Sequence, residues 1–338
     1  MTDQPVAHPE TTPREVTTRP AERLRVGVLA VAIAVVQVLL VMLFAWAASR
    51  QAPHDLPIAI AGPPQQVAAV TAGIEHAKPG AFDLTAVADD AAARQAVTSR
   101  DAYGALVLGS AGVTLYTAPA ASNTVAAALA QSIPAVVAQA DPQAQVTVTP
   151  LVPNPPDDPN GQGLPISLIP LTITSIAAGA ALTLLTLRRA ARIAGLVGYA
   201  VVAGVLSTWA LQSVLGVLTG TWLANAAVLT LVCLAVAAGT AGLAALLGAA
   251  GVALAAVVVF FFGFPFSGAT TAWQLVPTPW GQIAQYLPVG AANTAVRSVA
   301  YFSGSGSAAA LGVLVAWAAV GLLLAGLLRG RRHAHRAS

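Results

Sequence analysis

Between Arg192 and Arg329 the sequence contains one charged side chain, Arg297. A stretch of that length without charge does not fold as an ordinary soluble domain, in which about 25% of residues are charged. The whole chain of 338 residues is 57% hydrophobic and 9% charged, and apolar runs of 18 or more residues recur along it. Such runs are long enough to cross a bilayer as helices. The chain therefore reads as a polytopic α-helical membrane protein.

The distribution of charge argues for topology rather than nucleic-acid binding. Eleven of the 16 basic residues fall in three clusters: Arg14, Arg19, Arg23 and Arg25; Arg188, Arg189 and Arg192; and Arg329, Arg331, Arg332 and Arg336. Each cluster abuts an apolar run, as expected of cytoplasmic ends. All 13 carboxylates lie at or before Asp158. Intramembrane acids are the usual equipment of proton- or sodium-coupled transport, so their absence from the second half argues against that class. Lys78 is the only lysine and has no phosphate-binding glycine loop around it, so any nucleotide would be bound by another polypeptide. No histidine lies between His76 and His333. With no carboxylate after Asp158, an acid–base pair or metal site within the spans is not expected, and neither enzyme chemistry nor a cofactor is anticipated. Cys233, the single cysteine, sits in an apolar run and reads as a small buried hydrophobe.

Residues 1–25 form a polar, Pro- and Thr-rich tail, and Val26–Ala48 is a first span. Its apolar core is too long for a cleaved signal sequence and suits an uncleaved anchor. Residues 50–153 change character and suggest an inserted α/β domain outside the membrane. Strands are expected at Ile58–Ile60, Phe82–Val87, Tyr103–Leu108, Val113–Tyr116 and Val146–Val152. Helices are expected over Gln65–Ala77, from Asp89 or Asp90 to Ser99, and from a Ser122 or Asn123 cap to Gln139. Asn154–Gly163 reads as a solvated hinge. Five further spans follow at about 164–187, 195–217, 222–242, 244–264 and 309–328, giving six with both termini on one side.

Pro277–Gly304 then lies on the same side as the inserted domain. Thr278 can cap a short helix bearing Trp280, and Pro288 interrupts the chain before a second helix. In that second helix Val289, Ala292, Val296 and Val299 share one face, and Asn293, Arg297 and Tyr301 form an opposite polar stripe. Two short amphipathic helices broken at proline suit a re-entrant or interfacial hairpin, with Arg297 either reaching toward headgroups or serving a function.

Three stretches carry a family resemblance. Asp89-Asp90-Ala91-Ala92-Ala93 precedes Arg100 and Tyr103-Gly104-Ala105-Leu106. Leu115-Tyr116 leads into Ala120–Leu129. Leu287-Pro288-Val289-Gly290-Ala291 precedes Arg297-Ser298-Val299-Ala300-Tyr301-Phe302. With the order of spans, these resemble the type-2 ABC exporter permeases, in the branch with a large extracytoplasmic domain after the first span that includes the phage-infection-protein-like membrane proteins. The resemblance implies a bacterial cell-membrane protein with cytoplasmic termini that pairs as a homo- or heterodimer. It also implies a separate cytoplasmic ATPase, contacted through the loop containing Arg188, Arg189 and Arg192, and an outer gate at Trp280, Pro288, Asn293, Arg297 and Tyr301. The alternative is a non-transporting envelope or secretion-accessory protein whose inserted domain binds a partner.

Overall fold

Six helices in the computed structural model are long and apolar enough to cross a membrane: Leu24–Ser49, Gly163–Leu184, Arg189–Val214, Trp222–Leu247, Ala249–Phe266 and Ala308–Leu327. The structure describes residues 20–109, 112–140, 145–185 and 188–327. The tails at residues 1–19 and 328–338, with the basic residues Arg329, Arg331, Arg332 and Arg336, lie outside the described residues. The chain divides into two units, Met1–Ala45 and Trp46–Ser338. The first unit holds most of helix α1 (Pro20–Ser49).

In the second unit a five-stranded sheet runs in the order β2-β1-β3-β4-β5, with β1 Leu56–Ala61, β2 Phe82–Val87, β3 Gly104–Gly109, β4 Gly112–Thr117 and β5 Val146–Pro150. β1 is parallel to both β2 and β3, β3 and β4 form an antiparallel hairpin, and β5 is parallel to β4. Helices α2 (Pro64–Ala77), α3 (Asp90–Thr98) and α4 (Asn123–Ala140) supply the crossovers. Local chemistry sets their starts. The Asp89 carboxylate accepts from Ala92 N–H at 2.8 Å, and the Ser122 hydroxyl accepts from Val125 N–H at 3.3 Å, each satisfying a donor that the helix itself leaves unpaired.

The two faces of the sheet are unequal because side chains alternate along a strand. Ile58, Ile60, Leu106 and Leu115 point to one face, where they pack with Ile74 of α2 and with Val125, Leu129 and Ile133 of α4. Ala59, Ala61 and Ala105 point to the other, which meets Ala93 and Val97 of α3 together with Phe302 from the far end of the chain. Large aliphatics fill the first face. Alanines leave the second thin enough for α3 and the membrane half to approach closely.

In the membrane half, α5 (Gly163–Leu184), α6 (Arg189–Val214), α8 (Ala249–Phe266) and α11 (Ala308–Leu327) surround α7 (Trp222–Leu247). Two shorter helices precede α11: α9 (Trp280–Ala284) and α10 (Pro288–Tyr301). α6 and α8 each contain a π-helical turn, at Trp209–Val214 and Val258–Gly263. Lipid is as apolar as leucine, so packed helices in a bilayer gain mostly from van der Waals contact and close backbone approach. α7 supplies that contact with small residues, Ala237, Ala238, Gly239, Ala241 and Gly242 all being buried along it. Its neighbours answer with glycines: a Cβ on Gly179 of α5 would fall 2.3 Å from the Ala237 carbonyl oxygen, and one on Gly321 of α11 would fall 2.3 Å from the Ala238 carbonyl carbon. Cys233 is fully buried in this core.

Several boundaries differ from the sequence expectation. The break expected near Leu243 falls at Gly248, whose φ of 65° ends α7. The interval Asn154–Gly163 is not a solvated hinge throughout. Asp158 is buried and accepts from Gln162 N–H at 3.0 Å and Gly163 N–H at 2.8 Å. Its negative charge lies at the N-terminus of α5, where the helix dipole favours it. Asn154 donates to the Pro159 carbonyl at 2.9 Å.

Gly321→Ala tests the glycine contacts. The added methyl must push α11 off α7, and the expected loss is about 1–3 kcal/mol, read as a lower thermal unfolding midpoint in detergent. An unchanged midpoint would contradict the close approach of these helices.

Candidate functional site

The polar centre of the protein is where the sheet domain meets α10. Pro288 occupies the first turn of α10, where its missing N–H costs nothing. From there α10 is buried on nearly all sides. Val289, Ala292 and Val296 are fully buried, but so are Asn293 and Arg297, each only 4% exposed. The stripe of Asn293, Arg297 and Tyr301 is therefore not an outward face. The reading of Arg297 as a cation reaching for lipid headgroups is overturned: it turns inward to the sheet domain.

The Arg297 guanidinium donates in three directions. Nη1 reaches the Ala120 carbonyl at 2.9 Å, Nη2 the Ala269 carbonyl at 2.8 Å, and Nε the Asn293 Oδ1 at 3.2 Å. One side chain thus joins the start of α4, the segment after α8, and its own helix one turn back. A second arginine approaches from the sheet domain. Arg100 Nη1 donates to the Thr294 carbonyl at 2.8 Å and to the Ser298 hydroxyl, with its guanidinium 5.7 Å from the centre of the Phe302 ring. That distance is within cation–π range.

These hydrogen bonds from the two guanidinium groups all go to neutral oxygens. Burial, and then the like charge of Arg100, draws the Arg297 guanidinium down to about 10, so it stays charged at neutral pH. Burial lowers Arg100 in the same direction. A buried cation costs several kcal/mol in lost hydration. Here charge-assisted hydrogen bonds to carbonyls, each stronger than a neutral pair, offset that loss. Removing either partner leaves a buried group unpaired.

Arg100 has a backbone reason for attention as well. Its φ is 67°, just past the end of α3, while Asp101 N–H and Ala102 N–H both bond back to the Ala96 carbonyl. This is the left-handed stop position that glycine usually fills. An arginine held there at a cost of order 1 kcal/mol marks a side chain that the site requires.

Further contacts complete the joint. Tyr103 OH donates to Gln274 Oε1 at 3.0 Å, Thr124 Oγ1 to the Thr270 carbonyl at 3.2 Å, and Tyr301 OH to the Val217 carbonyl at 2.9 Å. Thr219 Oγ1 donates to the Ala300 carbonyl at 2.8 Å. The sheet domain, α10 and the connection between α6 and α7 are thereby held together.

The other residues singled out in the sequence lie elsewhere. Trp280 starts α9 and stacks on Phe266 with ring centres 5.3 Å apart, and Phe266 meets Trp46 edge-on at 6.2 Å. The expected Thr278 cap is absent. Pro279 is the residue before α9, and no side-chain hydrogen bond caps the helix. Arg188 and Arg189 are exposed, whereas Arg192 lies inside α6, 2% exposed, donating to the Ala325 carbonyl of α11 at 2.8 Å. The segment expected as a loop over Arg188–Ala194 is helical from Arg189 onward, and Arg192 ties α6 to α11. Arg100, Thr294, Ser298 and Gln274 were not picked out as site residues by their sequence context. The one available signal was an arginine in a place where a helix stop calls for glycine. Among the described residues no group of three or more His, Cys, Asp or Glu side chains could hold a metal ion.

No protein-family model, curated protein or solved structure matches the chain.

Arg297→Ala is expected to lower stability by about 2–3 kcal/mol, because it strands buried carbonyls. It should also expose residues 154–163 to protease as the sheet domain loosens. Arg297→Lys keeps the charge but loses the fork, and should fall between. Thermal unfolding and limited proteolysis of the purified protein read both effects, and wild-type behaviour of Arg297→Ala would remove the junction from consideration.

Proposed function

We propose that the chain is the membrane-spanning half of an ABC-type exporter, working as a dimer with an ATPase on a separate polypeptide. The observation that carries this reading is the arginine junction. It couples the domain after the first span to α10, and α10 packs directly on α7 and α11. In an exporter of this plan, a movement of the spans would be transmitted to the sheet domain through Arg297 and Arg100, without a flexible intermediate. The residues proposed for an outer gate divide accordingly. Asn293, Arg297 and Tyr301 would hold the coupling, while Trp280 would anchor the hairpin at the membrane boundary, where tryptophan concentrates.

A second reading, that of a non-transporting envelope protein whose sheet domain binds a partner, is favoured by one observation. The connections on the side opposite the sheet domain are short: residues 185–188 between α5 and α6, and Gly248 alone between α7 and α8. They offer an ATPase a small platform, with Arg188 and Arg189 as its exposed side chains. The two readings separate in a single preparation. The exporter reading expects ATP hydrolysis to accompany the protein purified from its native membrane, and Arg188→Glu with Arg189→Glu to abolish that hydrolysis while the protein still inserts. Purified protein with no associated hydrolysis would favour the second reading.

Sidedness has its own test. In a Cys233→Ser background, Tyr286→Cys and Ala190→Cys place thiols at two exposed positions. Impermeant maleimide should reach them from opposite faces of the membrane. Labelling of both from one face would overturn the six-span arrangement.

A further inference from the structure

A cavity adjoins the arginine junction at Gln274, where the chain enters the sheet domain. About 310 Å³ of space, open solvent included, lies among His54, Asp55, Trp273, Gln274, Val276, Thr278, Gly281 and Gln282. Two other hollows are lined by apolar side chains: one among Ala235, Val259 and Trp317 in the bundle, the other inside the sheet core. This one gathers an imidazole, a carboxylate, an indole, two amides and a hydroxyl.

The backbone fixes its walls. Ala52 N–H donates to the Leu275 carbonyl at 3.0 Å and His54 N–H to the Gln274 carbonyl at 2.9 Å, laying residues 52–54 along the turn at Trp273–Leu275. Asp55 follows with φ 48°, a conformation that Asp and Asn tolerate better than most residues. Its N–H bonds to the Gly80 carbonyl at 3.1 Å, and its carboxylate has no hydrogen-bond partner among the described residues. His54 Nδ1 is shut away from solvent and has no hydrogen-bond partner among the described residues. Such a nitrogen costs free energy until something bonds to it. Turning the ring about its Cβ–Cγ bond is the smallest motion that would let an occupant of the cavity do so.

The surroundings set the depth of the site. Gly281 and Gln282 adjoin Trp280, whose ring stacks on Phe266 and, at 6.1 Å, on Phe262 at the end of α8. Aromatic clusters at the ends of apolar helices mark the membrane–water boundary, the level of lipid headgroups.

We infer that this cavity binds a primary ammonium group of the kind carried by an ethanolamine headgroup. The chemistry is complementary at each wall. With the His54 ring so turned, the ammonium N–H groups donate to its Nδ1 and to the amide oxygen of Gln282. Its positive charge faces the Asp55 carboxylate, and the Trp273 indole attracts the same charge through its ring face. A trimethylated ammonium, lacking N–H donors, satisfies the carboxylate and the indole but not the imidazole. The site should therefore prefer the primary amine. The shared chemistry admits a membrane lipid or a soluble amine.

The full-length protein in nanodiscs provides the test. In discs of equal phosphatidylcholine and phosphatidylethanolamine, native mass spectrometry of the released protein should show ethanolamine lipid retained roughly tenfold over choline lipid of the same chains. His54→Ala should remove that preference, and Asp55→Asn, which the local backbone accepts, should lower retention of both lipids. Glycerophosphoethanolamine titrated against the protein in detergent forms the second arm. Binding there that Asp55→Asn abolishes, without lipid selectivity in discs, assigns the site to a soluble amine. Equal retention of both lipids with no soluble binding, or a preference indifferent to His54→Ala in correctly folded protein, overturns the inference and leaves a water-filled notch.

Discussion

A guanidinium whose hydrogen bonds all go to neutral oxygens holds the two halves of the protein together. Arg297 is buried, stays charged, and spends its donors on carbonyls from two distant segments and one amide of its own helix. Carbonyl oxygens are fixed by the backbone, so the position of this cation depends on the whole fold being in place around it. Arg100 adds a second cation under the same condition. Two like charges in one buried joint would repel an imperfect assembly, and only when every donor finds its oxygen is the desolvation offset.

The membrane core answers a different constraint with different means. Where the joint uses charge, α7 uses the lack of side chains, meeting α5 and α11 backbone to backbone through Gly179 and Gly321. Polar groups in this core are mostly satisfied locally. Thr172, Thr208 and Thr240 each donate to a carbonyl one turn earlier in their own helix. Hydroxyls used this way leave no obligation to neighbouring helices, and close packing can then decide how the helices sit. The aromatic group around Trp280 and Phe266 lies between the two regimes, at the boundary where each gives way to the other.

Much of this architecture is legible in the sequence because its causes are local. The strand Phe82–Val87, the Asp89 cap and the six apolar runs each depend on residues within one element or next to it. The failures are equally physical. The helical period of α10 showed Asn293, Arg297 and Tyr301 on one face, but period alone does not say what covers that face. The covering atoms are main-chain oxygens of Ala120 and Ala269, 177 and 28 residues away, and a carbonyl carries no signature in a sequence. Thr278 looked like a cap because of its type, yet Pro279 takes the position before α9. Asp158 sat in a Pro-rich segment that suggested solvent, while its use at the start of α5 depends on where the next span begins.

The left-handed backbone at Arg100 places the parts and the whole in conflict. Taken alone, the sheet domain would be relaxed by glycine at that position, since glycine adopts φ near 67° without strain. The assembled protein needs the arginine. Selection for a sturdier isolated domain would thus erode its attachment to the membrane half, and a variant that looks improved in a soluble fragment would be impaired in the intact chain. The residue is best understood as a compromise between two folding problems, local chain reversal and long-range assembly, resolved in favour of the second.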